Sequence, residues 1–460
     1  MSEIAFDRFE GGLDRRYNRP VGGANILWVL KNAYITTGKK IKKRPCFVQV
    51  ALLETGTKGL KAAGGKLNTF YGQGTITHVN PLFLARKVEH PTIAMDVAKA
   101  HFAEMFNGFL YASVEYTNGD VKHHYLDGTV PTYIVDVNCP NTKQVQKMSQ
   151  KIYAAKGADV AFCAAALPRN WTGTADAGTI TAGTNAAGSD QVTALGNFNG
   201  DLAIFFVDGV QVWHVDPDPA NNALTKSSNS GGTAYAKTAQ ALAQDLIFLG
   251  KTGFRSLSVA VLTSNLQEND VGSAIDKLRS EILSTDDPYS IYFPGLGQLL
   301  VFNGTKVYAY SFSRSNKLSA WSTYELPFTV DATAVLNSEL YARAGDLVYK
   351  LDPTAFADDG VAPLVEVEMF FQDGKAPGIE KMFTGFDAVV VGNPDIAFRY
   401  DPRNETLVTP FVPISSDTRP GDLYPMELCA TSVAPIFNHR ANEDFQVDQL
   451  LVYYEKLGNV

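Results

Sequence analysis

The feature that most constrains the fold of this chain is a repeated pair of apolar strands joined by a short turn. The pair occurs six times, and successive copies begin 43 to 51 residues apart. Several short strands in each unit of about forty residues are typical of a β-propeller, in which small sheets surround a central axis. The copies span residues 101–116, 151–166, 194–217, 238–259, 289–310 and 332–353.

A further blade can be completed from the apolar runs of residues 67–88. Aromatic residues make up 11% of the chain, which favours strands over helices. The sequence therefore predicts an all-β fold with a propeller of six to eight blades.

The repeat is clearest in residues 289–353, where short runs rich in Tyr, Phe, Val and Trp are bounded by Gly, Asn, Pro or Ser. Asn303 and Gly304 predict a two-residue hairpin of type I′, because both residues tolerate the positive φ that this turn needs. The predicted strands of this meander are residues 290–293, 298–301, 306–312 and 320–325.

Both ends of the chain depart from the repeat. Paired glycines predict an extended arm near the N-terminus, and longer β-type runs fill the C-terminal hundred residues. The spacing of Val447, Leu450, Val452 and Tyr454 predicts a sheet with at least one buried face. We expect residues 1–65 to form an N-terminal arm and the first part of a platform, 66–360 the propeller, and 361–460 the second part of the platform.

Two segments interrupt the repeat. Residues 169–193 are rich in Gly, Thr, Ala and Asn, so this polar insertion is expected to be mobile or ordered by a partner. Residues 266–283 predict a short amphipathic helix, with Ser273 available as N-cap and Ile275, Leu278 and Ile282 on one face.

A basic cluster lies just before Pro45 and has two interpretations. It forms either a solvated or salt-bridged surface loop, or a docking point for an acidic neighbouring subunit. Its members are Lys39, Lys40, Lys42, Lys43 and Arg44.

No catalytic motif is found, and we expect a non-enzymatic protein with no catalytic, cofactor-binding or metal-binding residues. Gly250-Lys251-Thr252 lacks the glycine that a phosphate-binding loop needs five residues earlier, where Asp245 stands. Neither a G-x-S-x-G nor an H-E-x-x-H motif occurs. Paired carboxylates in turns leave glycoside hydrolysis open but without support.

Two groups of residues place possible metal ligands close together in the sequence. His123 and His124 lie near Asp120 and Asp127, but adjacent residues on a strand point to opposite faces, so we expect an ordinary surface strand. The segment VDPDPANNA, residues 215–223, lacks the glycine and late glutamate of a calcium loop, so we expect a turn between blades at Asp216, Asp218 and Asn221.

Aromatic and cysteine residues are assigned to packing. We expect four aromatic residues to pack between blades and not to form a stacking platform for sugars or single-stranded nucleic acid: Trp213, Trp321, Tyr308 and Tyr310. Four scattered cysteines predict buried or half-buried thiols in a reducing compartment: Cys46, Cys139, Cys163 and Cys429.

The net charge is −8, which argues against a generally basic nucleic-acid-coating surface. The first residues lack the apolar segment of a secretory signal, and no stretch approaches eighteen apolar residues, so neither secretion nor membrane insertion is expected.

Several stretches resemble the tail nozzle proteins of short-tailed bacteriophages (podoviruses), also called tail hub or tail tubular proteins. The resemblance covers residues 150 to 330 well and the C-terminal hundred residues thinly. It rests on FEGGLDRRYNRP, KIKKRPCF, LPRNWT, DAGTITAGTNAAGSDQVTALGNFNGDLAIFFVDGVQVWHVDPDPANNAL, DLIFLGKTGFRSLSV and VGSAIDKL.

This resemblance implies a virion structural protein of the phage tail, assembled in the host cytoplasm as a homohexamer that forms the distal DNA conduit used in DNA ejection. Its implied partners are head-to-tail adaptor proteins, tail fibre or tailspike proteins, and genomic DNA that passes through the lumen without sequence-specific binding. Because like charge suppresses tight binding to DNA, we expect an acidic lumen. The alternative is a carbohydrate-binding or carbohydrate-active propeller that contacts the host envelope, although the S-x-D-x-G-x-x-W boxes of propeller sialidases do not occur.

Overall fold

The computed structural model describes residues 2–173, 176–185, 191–229, 231–258, 271–283, 287–414 and 423–458. The first strands of the chain are β1 (Ser2–Phe6), β2 (Gly12–Leu13), β3 (Ile26–Lys31), β4 (Ala33–Ile35), β5 (Ile41–Lys43) and β6 (Cys46–Leu52). The middle of the chain contains β7 (Lys58–Ala63), β8 (Lys66–Tyr71), β9 (Phe83–Lys87), β10 (Val97–Phe106), β11 (Phe109–Tyr116), β12 (Val121–Leu126), β13 (Val145–Met148), β14 (Lys151–Lys156), β15 (Asp159–Phe162), β16 (Gly178–Ile180), β17 (Ala194–Phe198), β18 (Asp201–Phe205), β19 (Val210–His214), β20 (Ala223–Ser228), β21 (Gln240–Leu242), β22 (Asp245–Gly250), β23 (Gly253–Ser256), β24 (Tyr289–Phe293), β25 (Gln298–Asn303), β26 (Lys306–Ser313), β27 (Leu318–Glu325), β28 (Ala332–Leu336), β29 (Glu339–Ala344) and β30 (Leu347–Asp352).

The last strands are β31 (Val365–Met369), β32 (Glu380–Val391), β33 (Asp395–Arg399), β34 (Val412–Pro413), β35 (Tyr424–Ala430), β36 (Ala434–His439) and β37 (Gln446–Gly458). Leu257 and Ser258 have helical backbone. The other helical elements of the described residues are short. These are 3-10 turns at Arg19–Val21, Ala182–Asn185, Pro219–Asn221, Ala236–Thr238 and Ser273–Leu278, and one α-helical turn, α1, at Arg279–Ile282.

The middle strands form seven blades within the described residues. Most neighbouring strands of a blade are antiparallel, whereas β8 and β9 of the first blade are parallel. The blades are, in order, β7–β9, β10–β12, β13–β16, β17–β20, β21–β23, β24–β27 and β28–β30 with β6.

The first strand of each blade lies at the centre of a closed ring. Contacts run from β7 to β10, β13, β17, β21, β24 and β28 in turn, and from β28 back to β7. An all-β propeller was predicted with six to eight blades, and this prediction is confirmed with seven. Each predicted copy corresponds to one blade, and residues 67–88 supply β8 and β9 of blade 1.

Blade 7 is completed by a strand from far earlier in the chain. β6 pairs antiparallel with β30, from Cys46 opposite Asp352 to Leu52 opposite Leu347. The predicted boundary between residues 65 and 66 is therefore wrong at this end, because β6 and β7 already belong to the propeller. A strand from before the first blade locks the ring, which the repeat pattern alone does not show.

Apolar side chains fill every gap between consecutive blades. Separate clusters occupy the gaps from blade 1 to blade 5, between blades 6 and 7, and between blades 7 and 1, while the gap between blades 5 and 6 belongs to a larger core. Trp321, Tyr308 and Tyr310 are buried in this larger core, and Trp213 packs half-buried between blades 3 and 4. The predicted packing role of these four aromatic residues is confirmed.

The hairpin after β25 differs from the prediction in one detail. Asn303 pairs with Lys306, so the two-residue loop is Gly304-Thr305, and only Gly304 has positive φ, at 64°. Positive φ at the first loop position alone is the pattern of a type II′ turn and not of type I′. The dipeptide does give positive φ at both residues in the hairpin at Asn107 and Gly108.

The two chain ends share a second set of strands, here called the terminal module. One sheet has the order β35-β32-β37-β5-β4, and β1 also pairs with β37. Val447, Leu450, Val452 and Tyr454 of β37 are all buried. Segments more than 350 residues apart in sequence thus form one sheet around a common apolar core.

A second sheet joins the terminal module directly to blade 6. Its ten strands run β24-β25-β26-β27-β2-β3-β31-β36-β33-β34. Gly12 of β2 lies opposite Trp321 of β27, where an added Cβ would come within 2.8 Å of Ala320 and of the Trp321 carbonyl. Its φ of 58° also favours glycine, so β2 can lie against the blade only with glycine at this position.

The chain enters and leaves the propeller at a buried ion pair. Arg44 Nη1 donates to Asp358 Oδ1 at 2.9 Å, Arg44 Nη2 contacts Oδ2, and both side chains are 1% exposed. Asp358 also accepts from the Phe47 amide at 2.8 Å, and Arg44 Nε donates to Asn32 Oδ1 at 3.0 Å. The pair therefore fixes the entry strand, the exit strand and the terminal module together.

The two interrupting segments also differ from their predictions. Within 169–193 the described residues include β16, which pairs with β15, and Trp171, which is buried, so part of the insertion completes blade 3. Residues 174–175 and 186–190 lie outside the described residues. In the second segment, Ser273–Leu278 forms a 3-10 turn that is followed by α1, and Gly272, not Ser273, occupies the N-cap. Ile275 and Ile282 are buried as predicted, and residues 266–270 lie outside the described part.

Candidate functional site in the propeller channel

The propeller encloses a polar channel along its axis. Two neighbouring cavities, of about 420 and 500 Å³, share His101 of β10 and Lys237 of the 3-10 turn before β21 as lining residues. Their walls come mainly from the first strands of the blades and the loops that lead into them. Both volumes fall in the range of small-molecule sites in proteins.

One carboxylate of the channel serves two lysines. Asp287, just before β24, lies 2.5 Å from Lys237 Nζ and 3.5 Å from Lys99 Nζ. Burial alone would raise the pKa of Asp287, but the hydrogen bond from Lys237 and the charges of both lysines lower it. The group of three residues therefore carries one excess positive charge at neutral pH.

A second carboxylate is balanced within the channel wall. Glu115 accepts from Lys143 Nζ at 2.8 Å and from His101 Nε2 at 2.9 Å. Burial lowers the pKa of His101 to about 4, despite the neighbouring carboxylate, so the imidazole is neutral at pH 7. Lys143 is then the cation that balances Glu115.

Lys61 of β7 is the exception among these side chains. Among the described residues it makes no ion pair, although it lines the same cavity as Lys237 and Glu104. Burial lowers the pKa of Lys61 to about 8, the charge of Lys237 lowers it further, and Glu104 acts in the opposite direction. The Lys61 side chain is partly exposed to the channel. Glu104 instead pairs with Lys147 at 3.3 Å.

Metal-binding clusters and free aromatic rings are scarce in the described lining of the channel. Over the described ranges, no group of three or more His, Cys, Asp or Glu residues has the arrangement of a metal site. Its aromatic lining consists of Tyr235 and Tyr289, and Tyr289 already stacks on Phe302 with ring centroids 5.2 Å apart. The channel lining instead combines lysine ammonium groups with an equal number of carboxylates around a partly open polar space.

His123 and His124 lie outside the channel and do not form a surface strand as predicted. Both are completely buried, because the loop after β12 covers them. His123 contacts the Tyr111 hydroxyl and His124 the Tyr116 hydroxyl, each at 2.8 Å, on opposite faces of the sheet. Burial lowers the pKa of His123 to about 4 and of His124 to about 3, so both imidazoles act as neutral hydrogen-bonding groups.

The Gly250-Lys251-Thr252 motif and the VDPDPANNA segment both form connections between strands. Lys251 and Thr252 form the hairpin between β22 and β23, and Lys251 pairs with Asp208 of the neighbouring blade. At the turn after β19, the carboxylate of Asp218 caps the 3-10 turn Pro219–Asn221 by accepting from the Ala220 amide.

The residues of the basic cluster before Pro45 all make contacts within the chain. Lys42 pairs with Asp444 at 3.5 Å, Lys39 lies 3.8 Å from Glu10, and Lys40 donates to the Asp448 carbonyl. Lys43 is buried and donates to the Ala441 and Glu443 carbonyls, and Arg44 pairs with Asp358. These contacts agree with salt bridging, but Lys42 and Lys43 lie in β5 and not in a surface loop, and Lys43 and Arg44 are buried. The docking of an acidic subunit stays a prediction.

Three of the four cysteines are buried, as the sequence predicts. Cys46, Cys139 and Cys163 are buried, whereas Cys429 is exposed on β35, the edge strand of its sheet. Burial raises the pKa of Cys139 to about 12, so this thiol stays protonated beside His123 and is no nucleophile.

Sequence reasoning missed the channel residues. Lys61, Lys99, His101 and Glu104 occur in KGLKAA and VAKAHFAEMF, where charged residues break otherwise apolar first strands. That interruption is the available signal, and it becomes interpretable only once the first strand of every blade is known to face the axis.

In the described residues, no helix has the length and apolarity needed to cross a membrane.

Comparison with known proteins shows distant structural likenesses, of which two are described. No family model matches the chain, and no curated protein matches it. A chain in the "Crystal Structure of Mitotic Checkpoint Complex" is 12% identical, with a TM-score of 0.35, over 76% of this chain and 91% of that one. BamB from Moraxella catarrhalis is 10% identical, with a TM-score of 0.38, over 77% of this chain and 97% of that one.

Proposed function

We propose that this chain is a structural protein of a phage virion, a hexameric tail nozzle that forms the distal DNA conduit of a short-tailed phage. The proposal starts from the sequence resemblance described above. The observation that carries it in the structure is the ten-stranded sheet that runs from blade 6 into the terminal module without interruption.

This sheet makes the propeller and the terminal module one mechanical unit. Lys31 of β3 bridges the two parts, because its ammonium lies 2.6 Å from Glu325 of β27 and 3.1 Å from Glu366 of β31. Side chains from both parts also fill one core, in which Trp321 and Phe9 are buried. A subunit of this kind holds a fixed angle between its two parts, which a closed ring of identical copies requires.

Under this proposal, the DNA conduit lies between the subunits and not inside a propeller. The propeller's own cavities, of about 420 and 500 Å³, have the size of small-molecule sites, and duplex DNA does not fit in them. A ring of six subunits would enclose the DNA and present its inner flanks as the lumen, which we propose to be acidic. The terminal module would then meet the head-to-tail adaptor, and tail fibres or tailspikes would attach at the opposite end.

Size-exclusion chromatography with light scattering tests the assembly. One chain has a mass of 50.0 kDa, so a hexamer is expected near six times that value, or about 300 kDa. A monomer at all concentrations would contradict the proposal.

A carbohydrate-binding propeller is the second candidate, and the size of the polar channel is the observation that favours it. Such a protein would be monomeric and would bind glycans saturably. Glycan binding by a monomer, lost when the channel residue Lys237 is changed to methionine, would favour this candidate over the nozzle.

A further inference from the structure

The outer edge of blade 7 exposes a row of aliphatic side chains, here called the blade 7 rim. β6 is the last strand of this blade, and beyond Phe47 its free side has no backbone partner among the described residues. β6 also contains neither a charged residue nor a proline, which commonly protect an exposed edge. The Asp359 amide donates to the Phe47 carbonyl at 3.0 Å, so the turn that contains Val361 lies beside the strand. The rim consists of Val48, Val50, Leu52 and Val361, which are 38 to 72% exposed.

Most other blades protect their outer edges. β2 covers β27 of blade 6, the 3-10 turn Ser273–Leu278 lies against β23 of blade 5, and β16 of blade 3 has only three residues. The outer strands of blades 1 and 4 carry charged side chains, namely Arg86 and Lys87 of β9 and Lys226 of β20. An apolar edge without such protection is a template for pairing with another chain.

Blade 2 has a second aliphatic edge, here called the blade 2 rim. Residues 132–134 lie outside β12, because the Thr132 carbonyl accepts from the Tyr125 amide at 2.9 Å and the Ile134 amide donates to the His123 carbonyl at 2.8 Å. The exposed side chains of this rim are Val130, Val135 and Val137, which are 65 to 94% exposed.

The blade 2 rim is firmly held although its valines are exposed. Arg169 Nη2 donates to Asp127 Oδ1 at 2.7 Å, and Arg169 Nη1 donates to the Pro131 carbonyl at 3.1 Å. Asp136, which lies between two of the valines, accepts from the Trp171 amide at 2.7 Å. These charged groups are therefore engaged within the chain, and a rigid aliphatic surface loses little conformational entropy when it binds an apolar partner.

We propose that the blade 7 rim of one copy packs against the blade 2 rim of a second copy, a contact that rests on the proposed ring of subunits. Each rim offers aliphatic side chains and so supplies the apolar partner that the other needs. The free side of β6 also requires a polypeptide edge, and the N–H and C=O of Val135 have no hydrogen-bond partner among the described residues.

The positions of the two rims favour a ring. Blade 1 alone separates blade 7 from blade 2, so the rims lie less than half a turn apart on the propeller. A contact between two different surfaces of identical copies gives a ring if successive rotations close, and an open filament if they do not. Rims less than half a turn apart make a row of copies curve, as a ring requires.

Cysteine variants and a short bismaleimide cross-linker test the contact in the full chain. Cys429, which is exposed, is replaced by serine in every sample. Val50→Cys and Val135→Cys are treated with the cross-linker separately and as an equal mixture. We expect a cross-linked dimer chiefly in the mixture, because the contact joins two different rims.

Light scattering measures the effect of charge on assembly. Val50→Lys and Val135→Glu should each weaken association at least about tenfold, because each buries a charge in the contact. Their equal mixture should assemble again, since lysine then faces glutamate at one contact while the next contact keeps both valines. Leu224→Lys is the matched control, because Leu224 on the outer strand of blade 4 is equally exposed, at 37%, and should leave assembly unchanged. Circular dichroism establishes that each variant is folded.

The outcomes separate this contact from the nozzle itself. Assembly that neither charged variant weakens, or equal cross-linking in all three samples, would overturn the contact and leave the nozzle standing. A monomer without cross-linking in the mixture would overturn both. Rings that cross-link through these rims but do not contain six subunits would reject the nozzle and retain the contact.

Discussion

At the scale of single residues, the ion pair between Arg44 and Asp358 joins the two places where the chain crosses between the terminal module and the propeller. A buried charge left without its partner is strongly destabilising, whereas replacing both partners by apolar groups is often tolerated. We expect Arg44→Met to lower the free energy of unfolding by about 3–5 kcal/mol. Urea denaturation measures this change.

The double variant Arg44→Met with Asp358→Leu should recover part of that loss, because no unpaired carboxylate remains. For comparison, Lys251→Met breaks an exposed pair and should cost less than about 1 kcal/mol. Equal losses for Arg44→Met and Lys251→Met would show that the buried pair has no special role.

The pH dependence of stability reports on Lys61. Its pKa is about 8 in the folded protein and about 10.4 in an unfolded chain. Between these values the unfolded state binds more protons, so this residue makes stability rise with pH, and the full penalty is present below pH 8. Thermal unfolding in phosphate-free buffer should therefore show the chain gaining stability relative to Lys61→Met from pH 8 to pH 10. A difference that is constant with pH would contradict the assigned pKa.

At the scale of elements, β6 closes the propeller by completing blade 7. Phe47 of β6 is buried between blades 6 and 7 and contacts Phe328 edge-to-face, with centroids 6.0 Å apart. Phe47→Ala should lower the free energy of unfolding by about 3–5 kcal/mol, the usual cost of removing a buried aromatic ring. Hydrogen exchange in β30 should accelerate, because β6 then leaves its partner more often.

Val48→Ala is the control on the same strand, since the neighbouring Val48 is 38% exposed. We expect it to change stability by no more than about 0.5 kcal/mol. Acceleration of exchange throughout the propeller, and not in blade 7 first, would argue against closure by β6.

The sequence predicts best those strands whose positions are set by residues close to them in the chain. Within blade 6, the predicted strands end within three residues of the observed ones, because alternating apolar residues and turn residues both act over a few positions. The pairing of β6 with β30 and of β2 with β27 depends on partners about 300 residues away, which no local pattern encodes.

The channel was missed for a related reason. Lys61, His101 and Lys237 belong to different blades, and only the closed ring brings them to one cavity. His123 and His124 were predicted at the surface because the strand pattern does not reveal that the following loop covers them.

At the scale of the whole molecule, seven blades and the terminal module behave as one body in which blade 6 is common to both parts. The apolar clusters between blades hold the ring, and the ten-stranded sheet fixes the terminal module to it. A rigid subunit of this form can repeat around an axis with the same contact each time, and that requirement connects the fold to the proposed nozzle.

Single-particle electron microscopy of the purified full chain tests this claim most directly. The account predicts closed rings of six subunits, each with one seven-bladed disc at the flank, around a central opening wide enough for duplex DNA. Isolated particles of one subunit at every concentration, or rings of another number, would contradict it.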